Sequence, residues 1–139
     1  MDSISRIDAL AKALMQNPNE AGLEALWREV FLLPHWYFIA RKLDPQVEPY
    51  FALIDSKAWL CVFTHPDRLY EFATLQGIVQ FPGQEVDVFS MPSTKAFAYV
   101  LHYLSTDIHG AWFDLPGGFN IPLDTLKEIG LYLGSSLEG

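Results

Sequence analysis

Apolar residues recur along the start of the chain at helical spacing. Ile4, Ile7, Leu10, Ala11, Leu14 and Met15 fall on one face of a helix that Asn17-Pro18 brings to a stop. Its stripe is the weaker of two and it lies at a terminus, so residues 1–17 are expected to dock loosely. A second helix follows with Asn19 as its cap. Its stripe, Leu23, Leu26, Trp27, Val30 and Phe31, holds the i, i+3, i+4, i+7, i+8 spacing without a gap until Pro34.

Beyond Pro34 the period changes. Trp36 to Ala40 is aromatic and β-prone, and Leu43 to Pro49 reads as a connection. Tyr50 to Ile54 and Ala58 to Phe63 flank the polar Asp55-Ser56-Lys57, which predicts a β-hairpin. The second arm is apolar on consecutive residues, as in a strand covered on both faces. Val86 to Phe89 and Ala111 to Leu115 are two more strands. Helices are expected over about 66–76 with Gly77 as terminator, 92–104 and 122–133.

One phrase punctuates this half three times: Phe63-Thr64-His65-Pro66, Phe89-Ser90-Met91-Pro92 and Phe119-Asn120-Ile121-Pro122. Thr, Ser and Asn are helix-capping side chains, and proline is tolerated in a first helical turn. The phrase therefore predicts three helix starts capped by Thr64, Ser90 and Asn120. Thr64 and Asp67 read as a near capping box. Together the elements predict one α/β domain over residues 1–139, with a mixed sheet of about five strands, an N-terminal hairpin region, flanking helices and two N-terminal helices.

Composition narrows the function more than it names one. Half of the 139 residues are apolar and 14% are aromatic, enough for a core that buries about two-thirds of the unfolded surface. The formal charge of −8 opposes nucleic acid. From Glu85 onward Lys95 and Lys127 face seven acidic residues, which suits solubility or a basic partner. No signal peptide or membrane span is recognisable, so a cytoplasmic location is the expectation. Cys61, the lone cysteine, reads as a buried inert thiol.

Catalytic patterns are missing. Leu115-Pro116-Gly117-Gly118-Phe119 lacks the spaced glycines and Lys of a phosphate loop and reads as a tight turn. His35, His65, His102 and His109 form no ligand pair, so neither a metal nor another cofactor is expected. Asp87 and Asp114 each interrupt an apolar strand, where alternation turns them to water.

From Asn19 to Gly134 the layout resembles the bacterial SseB family, the enhanced-serine-sensitivity proteins and their single-domain relatives. The resemblance is carried by the amphipathic helix ending Leu32-Leu33-Pro34 and by the hairpin into Leu60-Cys61-Val62-Phe63-Thr64-His65-Pro66-Asp67-Arg68-Leu69. Phe89-Ser90-Met91-Pro92 and the closing Phe119-Asn120-Ile121-Pro122-Leu123 complete it. It implies an α/β domain with no accepted catalytic residues. The strand Trp36 to Ala40 departs from the family's usual short strand ending in a small residue or proline.

The leading expectation is a non-enzymatic module that binds an unidentified protein, with an accessory role in stress or toxin neutralisation. Trp36, Tyr37 and Tyr50 either pack in the core or form an exposed aromatic patch that would be its partner face, with pairing to a second copy through an edge at Trp36 to Ala40 or Tyr50 to Ile54. The alternative is an anion- or small-molecule-binding domain, or an enzyme, using the helix N-termini at Thr64, His65, Ser90 and Asn120.

Overall fold

In a computed structural model, residues 3–42 and 48–138 are described, forming five helices and seven strands of a mixed α+β fold. Most of the connection expected over Leu43 to Pro49 lies outside the described residues. The helices α1 (Ser3–Gln16) and α2 (Glu20–Leu32) form an antiparallel pair. Asn19 caps α2 as expected, its side chain accepting from the Gly22 N–H at 2.7 Å. The first helix is firmly docked, contrary to the expectation for residues 1–17. Ile7 is fully buried, and Arg6 pairs with Glu29 of α2.

The strands are β1 (His35–Lys42), β2 (Glu48–Pro49), β3 (Phe51–Ile54), β4 (Lys57–Val62), β5 (Val88–Pro92), β6 (Ile108–Phe113) and β7 (Phe119–Pro122). Instead of one five-stranded sheet they make two, ordered β2-β1-β5 and β3-β4-β6-β7. The split has a local cause. Residues 48–54 lie between β1 and β4, and Pro49 has no N–H to continue a ladder, so the segment divides into β2 on β1 and β3 on β4. The sheets touch where Tyr37 and Phe63 exchange both backbone bonds at 2.9 Å.

The hairpin β3–β4 forms as the sequence predicts. Asp55 and Ser56 take φ of 53° and 66°, the double left-handed turn that matches strand twist. β4 is central, antiparallel to β3 and parallel to β6, with Leu60 opposite Ala111.

Three helices complete the fold: α3 (Pro66–Leu75), α4 (Ser93–Leu101) and α5 (Leu123–Glu138). A helix does begin at or just after the proline of each repeated phrase, but the capping roles are wrong. Ser90 lies inside β5 opposite Tyr37, and Asn120 lies inside β7 opposite Trp112. Each is the outward position of an alternating edge strand, and each proline is that strand's last residue. At α3 the cap is His65, whose Nδ1 accepts from the Asp67 N–H at 3.1 Å. Thr64 is one residue earlier, so the Thr64–Asp67 capping box does not form.

A large core holds Trp27, Trp36, Phe38, Leu60, Phe113 and Leu126 between the helices and the sheets. A smaller one holds Ile39, Cys61, Phe63, Leu69 and Phe72 under α3. Cys61 is fully buried, and burial pushes its thiol up from 9.0 to about 12. The folded state thus favours the neutral thiol, a contribution that is whole below the unfolded thiol's 9.0 and is lost as pH rises towards 12. Tyr99, raised chiefly by burial, acts in the same direction. The melting temperature is expected to decline over that alkaline window. Cys61 should resist a thiol reagent in native protein at mildly alkaline pH and react fully once unfolded. Prompt native labelling would show the reading of this strand to be wrong.

Candidate functional site

An apolar concavity lies between the α1–α2 pair and the turn joining β6 to β7, and holds about 560 Å³. Ala11, Leu14 and Met15 of α1, Leu23, Leu26 and Trp27 of α2, and Trp112 with Pro116 to Asn120 line it. Met15 is 80% exposed and Leu23 39%, although both fall on predicted apolar stripes. Among the described residues no titratable side chain lines the cleft, and Asn120 is the one amide there.

Backbone geometry and one buried carboxylate shape the turn wall. Gly118 takes φ +67°, and a Cβ there would meet the Phe113 carbonyl oxygen at 1.8 Å, so only glycine fits. Trp112 lies along the turn, its Nε1–H donating to the Gly117 carbonyl at 2.8 Å. Asp114, also left-handed at φ 60°, is buried rather than solvated as alternation predicted. It follows the last residue of β6, where strand alternation no longer governs its direction. Its Oδ1 accepts from the Thr64 N–H at 2.8 Å. Its Oδ2 accepts from the Thr64 hydroxyl at 2.7 Å and from Arg68 Nη1 at 2.9 Å.

Arg68 then forks onto Asp8 of α1 at 2.7 and 2.5 Å. This neighbourhood raises the guanidinium further above its ordinary value, the Asp8 hydrogen bond being the largest cause. The Asp8–Arg68–Asp114 bridge therefore ties one wall of the cleft, α1, to the other, the β6–β7 turn, through α3.

The residues singled out in the sequence scatter. Trp36 is not on a partner face: it is fully buried, donating its indole N–H to the Val30 carbonyl at 3.0 Å and packing on Phe113. Tyr37 and Tyr50 are half-buried, Tyr50 against Phe72, so no exposed aromatic patch of the three exists. Of the two arms expected at an edge, β1 is not one, since β2 and β5 flank it, whereas β3 (Phe51–Ile54) does lie at the edge of its sheet. Thr64 serves the Asp114 network, His65 caps α3 at the surface, Ser90 is exposed on β5, and Asn120 alone lines the cleft. The helix N-termini do not converge on one pocket, and that geometry was the basis of the anion-binding alternative.

A second, more polar concavity of about 700 Å³ lies where the β3–β4 turn meets the starts of β6 and α5, lined by Lys57, Asp107, His109 and Asp124 among others. Among the described residues no hydrogen bond or ion pair joins these four side chains. No group of three His, Cys, Asp or Glu among the described residues is placed to hold a metal. No described helix is long and apolar enough to cross a membrane.

The cleft residues escaped the sequence reading because Leu14, Met15 and Leu23 sit on stripes that look like core. The available signal was the stripe's width. With Met15 beside Leu14, α1 carries more apolar surface than one neighbouring helix covers. Comparison with protein-family models and with curated proteins finds no match.

Proposed function

We propose that this chain is a non-catalytic protein-binding module that takes an apolar segment of another polypeptide in the cleft between α1–α2 and the β6–β7 turn. The observation that carries this reading is the pairing of exposed apolar side chains, Met15 and Leu23, with a lining that offers no group able to move a proton. Apolar anchors in a preformed groove give binding energy, whereas catalysis at a closed-shell bond needs acids, bases, nucleophiles or a metal. The walls are held rigid by the Arg68 bridge, which lowers the ordering cost a partner must meet. The SseB-like layout of the sequence is in keeping with an accessory role of this kind.

The test is selection from a displayed random-peptide library on the wild type and on Leu23→Asp. The wild type is expected to enrich peptides with two or three spaced large apolar residues. Those peptides should bind Leu23→Asp at least about tenfold more weakly, the scale of losing one buried anchor. A circular dichroism spectrum and melting curve matching the wild type would show the variant folded. Peptides that bind both forms equally would defeat the proposal.

A further inference from the structure

We infer that the partner segment is a cationic amphipathic helix, laid along α2 across this cleft and the shallower groove beside it. The inference rests on the protein-binding reading above and goes on to name the chemistry of the occupant. Leu23 lines the 560 Å³ cleft and also a neighbouring groove of about 320 Å³ between α2 and α5, where Ile129, Tyr132 and Leu133 complete the apolar lining. The two are therefore one strip. Along it Met15, Leu23 and Tyr132 are 80%, 39% and 61% exposed, apolar anchors of the kind that the apolar face of an amphipathic helix meets.

Charge selects among apolar ligands. Among the described residues the only charged ones lining either concavity are Glu20 and Glu24, one turn apart on α2 with Leu23 between them. Glu24 accepts from Arg28 at 2.6 Å with one oxygen, and among the described residues no Lys or Arg lines the strip. With a chain charge of −8 behind it, the groove attracts a cationic flank and repels an acidic one.

Helical form follows from the walls. Most of the lining belongs to α1, α2 and α5, whose interior backbone groups are already bonded within each helix. They offer side-chain surface, and the edge strand β7 reaches the cleft only at Phe119 and Asn120.

The experiment uses the full chain and three synthetic peptides of equal length: an amphipathic Leu/Lys helix, its Leu/Glu counterpart, and the Leu/Lys peptide with a central proline. Calorimetric titration is expected to give micromolar affinity for the Leu/Lys helix, weakening as salt rises. The Leu/Glu and proline peptides should bind at least tenfold more weakly. Glu20→Lys with Glu24→Lys should cut Leu/Lys binding about tenfold. Glu71→Lys with Glu85→Lys, away from the strip, should leave it unchanged.

Equal binding of the Leu/Glu peptide, or equal losses from both charge pairs, would overturn the cationic assignment and leave the cleft reading to the library selection. Undiminished binding of the proline peptide would overturn the helical form. A concentration-dependent dimer in sedimentation, abolished by Leu23→Asp, would assign the groove to a second copy and overturn the inference.

Discussion

Trp36→Ala is expected to cost about 3–5 kcal/mol of stability, the range for emptying a fully buried large aromatic site. The ring is fully buried and meets Phe113 edge-on at 5.2 Å and Phe31 at 5.6 Å. It joins β1 to α2, because its indole N–H also donates to the Val30 carbonyl in the last turn of that helix. Two contributions are lost together, packing and a buried bond, and Trp36→Phe separates them. Phe keeps most of the packing and should cost about 1 kcal/mol, the net worth of one hydrogen bond, since Val30 O still accepts from the Leu33 N–H at 3.3 Å. Urea unfolding of the three proteins measures both. An alanine variant within about 1 kcal/mol of the wild type would mean that the ring is not in the core.

Asp114→Ala is expected to be comparably severe, at roughly 3–5 kcal/mol. It strands the buried Thr64 N–H and hydroxyl, leaves Arg68 with Asp8 alone, and puts a β-carbon residue without local hydrogen bonds at φ 60°. Arg68 is partly open to water, with a side chain 28% exposed against 3% for Asp114, so it is the stranded Thr64 donors that dominate. Asp114→Asn tolerates the left-handed backbone and keeps one acceptor, and should fall between alanine and wild type. Because Asp114 anchors the turn wall of the cleft, peptide affinity should drop in both variants even where they remain folded. Asp8→Asn, which weakens only the α1 end of the bridge at a more exposed site, should cost much less stability. A thermal melt series on these variants checks the order.

The legible parts of this fold are those where local chemistry has one solution. Asp55-Ser56-Lys57 between two apolar arms could only turn, and Asn19 ahead of an unbroken helical stripe could only cap. The continuous apolar run Trp59 to Phe63 required cover on both faces, and β4 lies at the centre of its sheet. The Phe-x-x-Pro phrase marks the three helix starts but misleads about their caps, because a small polar residue ahead of a proline satisfies two structures equally. It fits a helix cap, and it also fits the outward position at the end of an edge strand. Nothing local distinguishes them, and cross-strand pairing with Tyr37 and Trp112 decided for Ser90 and Asn120. For Trp36 the sequence leaves core and surface both open, because it does not reveal that β2 and β5 enclose its strand. Asp114 was read as solvated because its partners, Thr64 and Arg68, are distant in the chain. The cleft was illegible for the opposite reason: its residues resemble core, and only tertiary placement leaves Met15 and Leu23 uncovered.

The order of pairings has a kinetic consequence. β1 waits for β5, with Trp36 opposite Met91, while β4 waits for β6, with Leu60 opposite Ala111. The two closures interlock along the chain, because β4 lies between β1 and β5 in sequence, and β5 lies between β4 and β6. Cutting the polypeptide in the connection between α3 and β5 would therefore sever both sheets at once, leaving neither fragment a complete hydrogen-bonded layer. Such non-local closure makes folding slow relative to a helical bundle of the same length, and it makes the transition all-or-none. Two fragments divided there are expected to be unstructured apart and to regain the spectrum of the intact chain only when mixed.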